Sequence, residues 1–444
     1  MKQSQTIACL VILSGIFSAV FCYADPVYDT LEASIADRLV LSDLYDYAWQ
    51  KNPAIAGARA SWAVSAEDYR EGIAYPDLQV MSTIFPRPIE TRLGPQDWNL
   101  TITQSFPFPG TLNHKGRVLE ADSDIARLEL DRAVRSVHAA IQSSFYELSY
   151  IQQAKILAGA NLDLAREMIS VGSSLYAGDR AAFYDVAKAQ AQLSQIQYDI
   201  LLLNELEQTE KASLNALLDR DPEAPLGPVA EVPERNVRYT LHEINDMLTD
   251  ASDEVLIAVK RLEKAGEMTT LARFENFPQF KLGLFYASIG QPSVATPQPN
   301  AGDDAMGIQF GFSIPISYGK IRSRIDRAKA LETKSEAGKR GAINRVRAET
   351  SRIWFKLENA KRLMALYQGQ MIPQAQASLQ TAEAWFSQGK GSFTDFLELQ
   401  ATLYNFQLSR ARALADYGKS LASLEALSGI SLDTNPMDKG VSPK

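Results

Sequence analysis

WNLTITQSF, residues 98–106, places Trp98, Leu100, Ile102 and Phe106 on one side and Asn99, Thr101, Thr103 and Ser105 on the other. MGIQFGFSI, residues 306–314, repeats the device: Met306, Ile308, Phe310, Phe312 and Ile314 alternate with Gly307, Gln309, Gly311 and Ser313. A period of two is the mark of a strand. One face is greasy and the other polar and glycine-containing, which suits a lipid-facing barrel wall as well as a soluble sheet packed on a core. Residues 78–85 and 279–287 alternate less cleanly and are the expected hairpin partners. The connecting loops are expected over 86–97 and 288–305, which hold prolines, glycines and charges.

The two stretches belong to two copies of one plan. QSFPFPG (104–110) matches FSIPISYG (312–319), and LYAGDRAAFYDVAKAQAQL (175–193) matches WFSQGKGSFTDFLELQATL (385–403). Phe183, Asp185, Gln190 and Leu193 align with Phe393, Asp395, Gln400 and Leu403 at an offset of 210. The expected division is a first repeat over 25–220, with hairpin 78–106 and helical tip 172–184. A proline-rich linker spans 221–239. The second repeat spans 240–430, with hairpin 279–315 and tip 384–395, and a tail of 431–444 follows.

Each strand pair is followed by a long helical stretch. From about 113 to 176 no proline interrupts the chain, and Leu130, Val134, Val137, Ile141, Phe145, Leu148 and Ile151 recur every three or four residues. That spacing packs helices side by side as a coiled coil. The counterpart runs from about 319 to 387, with Pro373 as the expected kink. Return helices are expected at 183–219 and 393–429. Two hairpins give four strands, whereas a closed membrane barrel needs at least ~8 and lipid tolerates no open edge. Strands in a membrane would therefore have to be pooled by several chains.

Composition narrows the function classes. Residues 1–24 read as a secretory leader: Lys2, then the uncharged apolar run IACLVILSGIFSAVF (7–21), then small residues before a cut after Ala24. Acylation at Cys22 is the competing reading. Cys9 and Cys22 both lie in this segment, so the mature chain has no thiol chemistry. The mature chain carries 44 basic and 53 acidic residues, a net charge of −9, which disfavours nucleic acid as a partner. No later stretch reaches ~18 apolar residues, so no spanning helix is expected. His114, His138 and His242 lie far apart and none stands at metal-ligand spacing. No nucleophile elbow, phosphate loop or metal set is present, so neither an enzyme nor a bound cofactor is expected.

The order of these parts, duplicated, resembles the TolC-like outer-membrane efflux proteins. The most specific stretches are NPAIAGARASWAVSAE, YPDLQV, TQSFPFPGTLNHKGRV and MIPQAQASLQTAEAWFSQGKGSFTDFLELQATLYNFQLSRA. The resemblance implies a mainly α fold with a membrane β-barrel. Each chain would give four strands and long coiled-coil helices, and a homotrimer would form one barrel and an α-helical periplasmic tunnel. It implies function as the outer-membrane channel of a tripartite pump, exporting metal cations or drugs. The partners would be a periplasmic adaptor, an inner-membrane transporter of the resistance-nodulation-division type, and outer-membrane lipid. FPFPG and YPDLQV look more like the heavy-metal-efflux branch than the protein-secreting branch. A secreted coiled-coil scaffold is the alternative outside the family, and a type I protein-secretion channel the alternative within it.

Three sets of residues carry specific expectations. Asp395 and Glu398 share one helix face three residues apart and match the acidic motif of the family's periplasmic constriction, which implies a gate and cation-selective ring. The bland reading is that acids in a first turn complement the helix dipole, an effect of ~0.3–1 kcal/mol. In the first repeat Asp185 is followed by Lys188, read as a self-neutralising pair. Leu175, Tyr176, Gly178, Phe183, Trp385, Phe386, Gly389, Gly391 and Phe393 cluster apolar side chains and glycines at the tips, where an adaptor would dock. The alternative is that they merely pack the hairpin ends. Pro107, Pro109 and Gly110, with Pro315 and Gly319, are expected to turn strand into helix.

Overall fold

A computed structural model describes residues 26–178, 182–230, 232, 235–293, 299–388 and 392–432. The expected leader over 1–24, Gly389, Gly391 and the tail from 433 lie outside the described residues. The elements run α1 (Pro26–Asp37), α2 (Leu41–Lys51), α3 (Pro53–Ile73), β1 (Gln79–Thr91), β2 (Gly94–Phe106), α4 (Thr111–Ala177) and α5 (Phe183–Leu217). The second repeat follows with α6 (Leu241–Ala251), α7 (Asp253–Phe274), β3 (Phe280–Ile289), β4 (Ala305–Phe312) and α8 (Tyr318–Leu366). A π turn (Tyr367–Met371), α9 (Ile372–Ser387) and α10 (Phe393–Ser428) complete it.

The four strands form one antiparallel sheet in the order β1-β2-β3-β4. The helices that abut it keep the same order. The helix α3 precedes β1, α4 follows β2, α7 precedes β3 and α8 follows β4, and α4 packs on α3 and α7 while α8 packs on α7. Sheet and helices are therefore one wall, a single layer thick. Further along, α5 and α10 pack beside α4, and α10 beside α8 and α9. At ~1.5 Å per residue the 67 residues of α4 extend about 100 Å.

The first hairpin departs from expectation. Residues 86–97 are not a loop; β1 and β2 continue almost to the turn at Arg92 and Leu93. Pro86 and Pro88 sit in β1, where the register shifts between Ile84 and Ile89. An edge strand has one free side, so a proline there costs no ladder hydrogen bond. The loop between β3 and β4 lies close to its expected place.

The heptad of α4 is the core. Leu130, Val137, Ile141, Phe145 and Leu148 pack with Leu44, Ala48, Ile55, Leu214 and Leu218 from α2, α3 and the end of α5. A matching cluster joins Ile244, Leu248, Val346, Ile353, Leu357, Leu421 and Leu424. The stretch 221–230 is extended but fixed rather than a loose spacer. Gly227 N donates to the Ile35 carbonyl at 3.0 Å, and Ala230 N to that of Leu39 at 3.0 Å. Buried Arg220 holds Asn215 at 3.0 Å and Glu32 at 3.3 Å.

Candidate functional site

Two regions carry chemistry: the sheet and the helical tips. In the sheet, registered pairs set side chains in rows. Val80, Ile102, Leu284 and Ile308 form one row, and Gln104, Leu282 and Phe310 another. Phe106, Phe280 and Phe312 form the row nearest the helices. The opposite face carries Thr101, Thr103, Gly283, Gln309, Lys281 and Gly311. Phe310 is 83% exposed and Leu284 61%, so none of the described residues covers the greasy face. Aromatic rings gather at the border with the helices, where Phe108 stacks on Phe277 at 4.4 Å and Tyr75 meets Phe106 at 5.7 Å. At the other end Trp98 lies 5.3 Å from Tyr286. A greasy band between aromatic belts is what a barrel wall shows to lipid.

The turn into α4 runs through two prolines and a glycine. Pro107 and Pro109 occupy the link between β2 and α4, and Gly110 has φ +93 with the Phe274 ring 2.8 Å from where a Cβ would stand. Only glycine meets both conditions. In the second repeat Pro315 lies in the link, but Gly319 does not. It sits in the first turn of α8 with open space around it, so no turn there needs a glycine.

At the tips α5 and α10 begin with N-cap residues, Ala182 and Ser392, that make no side-chain cap. Asp185 and Asp395 stand in the first turns and complement the two dipoles. The two helix starts are tied across the repeats. Lys188 Nζ donates to Glu398 Oε1 at 2.8 Å, and Thr394 Oγ1 donates to Asp185 Oδ1 at 2.6 Å. Lys188 therefore pairs with the other repeat and not with Asp185. The hydrogen bond it donates to Glu398 is the main reason that the Lys188 ammonium is held above its usual range. Asp395 is exposed, so of the expected acidic pair one carboxylate is engaged and one faces solvent.

The tip aromatics divide in two. Phe393 is 4% exposed; it packs with Ala189 and Leu397, lies over Gly172 and sits 5.5 Å from Phe386. Tyr176, Phe183 and Trp385 are outside at 49, 66 and 58% exposure, with Tyr176 and Phe183 5.9 Å apart. Gly178 closes the exposed end of α4, and the side chain of Leu175 lies outside what is described. Sequence reasoning gave Lys188 the wrong partner and missed Thr394 and the buried bond from Gln400 to Asn161 at 2.7 Å. The Gln190/Gln400 match between repeats was a signal for the last of these. Among the described residues no group of three or more His, Cys, Asp or Glu could hold a metal ion, and no helix is long and apolar enough to cross a membrane.

Comparison with known proteins agrees with this geometry. Residues 247–430 match the family model described as outer membrane efflux protein. No curated protein matches the sequence. Among solved structures, the outer membrane protein VceC from Vibrio cholerae superposes with a TM-score of 0.73 at 18% identity, covering 88% of this chain and 97% of its own. A membrane protein from Pseudomonas aeruginosa gives 0.76 at 14% identity, covering 90% and 92%. The MtrE outer membrane channel of Neisseria gonorrhoeae, solved in its open state, gives 0.68 at 15%, covering 88% and 89%. Identities this low establish a shared fold and do not separate one branch of channels from another.

Proposed function

We infer that this chain, which carries the outer membrane efflux protein domain over residues 247–430 and the fold of the outer-membrane channels along its length, is the outer-membrane channel of a tripartite efflux system. The observation that carries the reading is the greasy, uncovered sheet face that ends in two unpaired edges, β1 and β4. Three copies supply twelve strands, enough to close a barrel in the outer membrane. The helices extend into the periplasm as a tunnel. The protein conducts rather than catalyses, and its cargo is small solutes, either metal cations or drugs.

At the periplasmic end Asp395 and Glu398 form the gate and cation-selective ring. Glu398 serves as the latch, held by Lys188, and Asp395 supplies the open charge. The exposed aromatics Tyr176, Phe183 and Trp385, with Gly178, Gly389 and Gly391, receive the hairpins of a periplasmic adaptor coupled to a resistance-nodulation-division transporter. Phe386 and Phe393 support that surface from inside. In planar bilayers, Asp395→Ala combined with Glu398→Ala is expected to raise single-channel conductance and lower cation selectivity. Unchanged values of both remove the gate role.

A further inference from the structure

The helix α8 is unlike the rest of this acidic chain, with 14 Lys and Arg against 5 Asp and Glu in 49 residues. Along one side of it Lys334, Gly338, Arg345, Arg352, Asn359 and Leu363 recur every four or seven residues, a straight stripe about 45 Å long. This stripe lines two hollows. The upper one, about 660 Å³, lies between α8, α7 and α4, and the lower one, about 430 Å³, between α8 and α10. Both volumes fall in the range of small-molecule sites, roughly 300–1,000 Å³.

Charge in these hollows is lopsided. The upper is lined by 5 Lys and Arg against 2 Asp and Glu, and the lower by 3 against 2. Each of the four acids is already engaged: Asp122 by Lys264 at 2.5 Å, Glu254 by Arg345 at 2.7 Å, Asp416 by Arg412 at 3.2 Å, and Glu349 by Arg352. Arg132, Lys334 and Lys356 are exposed and make no ion pair among the described residues. The unpaired charge of the lining is therefore all positive. The floor is apolar, with Ile125, Ile257 and Ala342 buried in the upper hollow and Ile353 and Ala360 in the lower.

The groove occupies the face of the wall opposite the second layer formed by α2 and α6. The cluster that joins α6 to α8 includes Ile343 and Trp354. Each stands two residues from the stripe, about 200° around the helix from Arg345 and Arg352. The same holds on α4, where Leu130 packs with α2 and Arg132, two residues on, lines the upper hollow. In a tube that conducts, a second layer stands outside, where it does not block the bore. On the channel reading the groove then faces the lumen, its lower hollow nearer the tips and its upper hollow nearer the barrel.

We propose that this groove is a binding site for amphiphilic organic anions. The apolar body of such a solute lies on the aliphatic floor, and its carboxylate or sulfonate meets Arg132 and Lys334 in the upper hollow or Lys356 in the lower. Inorganic anions answer the cations but leave the floor uncovered, and neutral solutes leave the cations unanswered. The positive excess grows toward the barrel, so an anion past the acidic entrance has like charge behind it and opposite charge ahead. Two modest sites in series hold a solute without trapping it, which is the condition for conduction. The inference rests on the channel reading and narrows its cargo.

The probe is naphthalene-2-sulfonate, titrated calorimetrically into the full mature chain in a nonionic detergent at low salt. Saturable binding is expected. Arg132→Ala with Lys334→Ala is expected to weaken it about tenfold, the equivalent of one charge-assisted contact. Lys339→Ala with Arg340→Ala removes as much charge from the side of α8 that carries Ile343 and is expected to leave binding unchanged. No saturable binding, no loss from the first pair, an equal loss from the second, or equal binding of neutral naphthalene-2-sulfonamide or of plain sulfate overturns the site. A second arm reads its placement. The mature chain lacks cysteine once the expected leader is removed. Lys334→Cys, treated with an anionic methanethiosulfonate reagent in planar bilayers, is expected to change single-channel conductance. Binding with unchanged conductance puts the groove outside the bore and overturns its role in transport. Conducting channels that bind nothing sink this inference alone, whereas binding by a protein that never conducts sinks the channel reading and keeps the site.

Discussion

Phe183 and Phe393 occupy the same place in the two repeats, yet one is 66% exposed and the other 4%. The difference comes from surroundings, since Phe393 finds Gly172 of the first hairpin beneath it, whereas Phe183 meets only the exposed Tyr176 ring among the described aromatic contacts. Single residues also set the response to acid. His138 stacks on Tyr45 at 4.2 Å, and burial lowers its pKa below the ordinary 6.5, with Asp46 pulling the other way. The unfolded chain then binds the proton more readily than the folded one, so stability is full above about pH 6.5 and falls as the pH drops through that value. Thermal melts in detergent between pH 7.5 and 5 are expected to show this slope, and His138→Phe, which keeps the ring, to reduce it. An unchanged slope would place the acid sensitivity elsewhere. None of this was legible in the sequence, where His138 is only one of three scattered histidines. The Lys188–Glu398 tie was hidden for the same reason: its partners are 210 residues apart and meet only through packing.

Elements were read better than contacts, because periodicity is a property of the chain alone. The helices α4, α5 and α10 fall within two residues of their expected limits, since their heptads and the absence of proline dictate them. The kink expected at Pro373 is a π turn just ahead of it, Tyr367–Met371. That turn has a structural cause. Upstream the repeats align at an offset of 209, as in Val137 and Val346; downstream it is 210, as in Ala165 and Ala375. One added residue would rotate everything beyond it by about 100° in an α-helix, and the wider turn absorbs it. Within the expected hairpin, the loop 86–97 was misread because prolines signal a loop unless the strand is known to be an edge, and edges exist only once the sheet is assembled. The sheet's two faces make a further prediction. Phe310→Arg faces the greasy side and is expected to cost ~2–4 kcal/mol of stability in a bilayer. Gln309→Arg faces the other side and should be close to neutral. Urea unfolding in lipid vesicles measures both, and equal costs would contradict the assigned faces.

The whole molecule is a wall with two raw margins. Strands β1 and β4 each leave a row of N–H and C=O groups unpaired, and in hydrocarbon each such group costs several kcal/mol. Even the eight residues of β4 would carry a penalty on the order of tens of kcal/mol, far above the net stability of a domain. A lone copy in lipid is therefore strongly disfavoured, and joining β4 of one copy to β1 of the next would remove the penalty. The sequence already implied this shortage, since four strands could be counted without knowing their order. It did not reveal that helix order follows strand order, by which the same closure would complete the helical part. Native mass spectrometry of the protein extracted from outer membranes in mild detergent tests the central claim most directly. A single species of three chains is predicted, and a stable, water-soluble single chain that needs no detergent would contradict it.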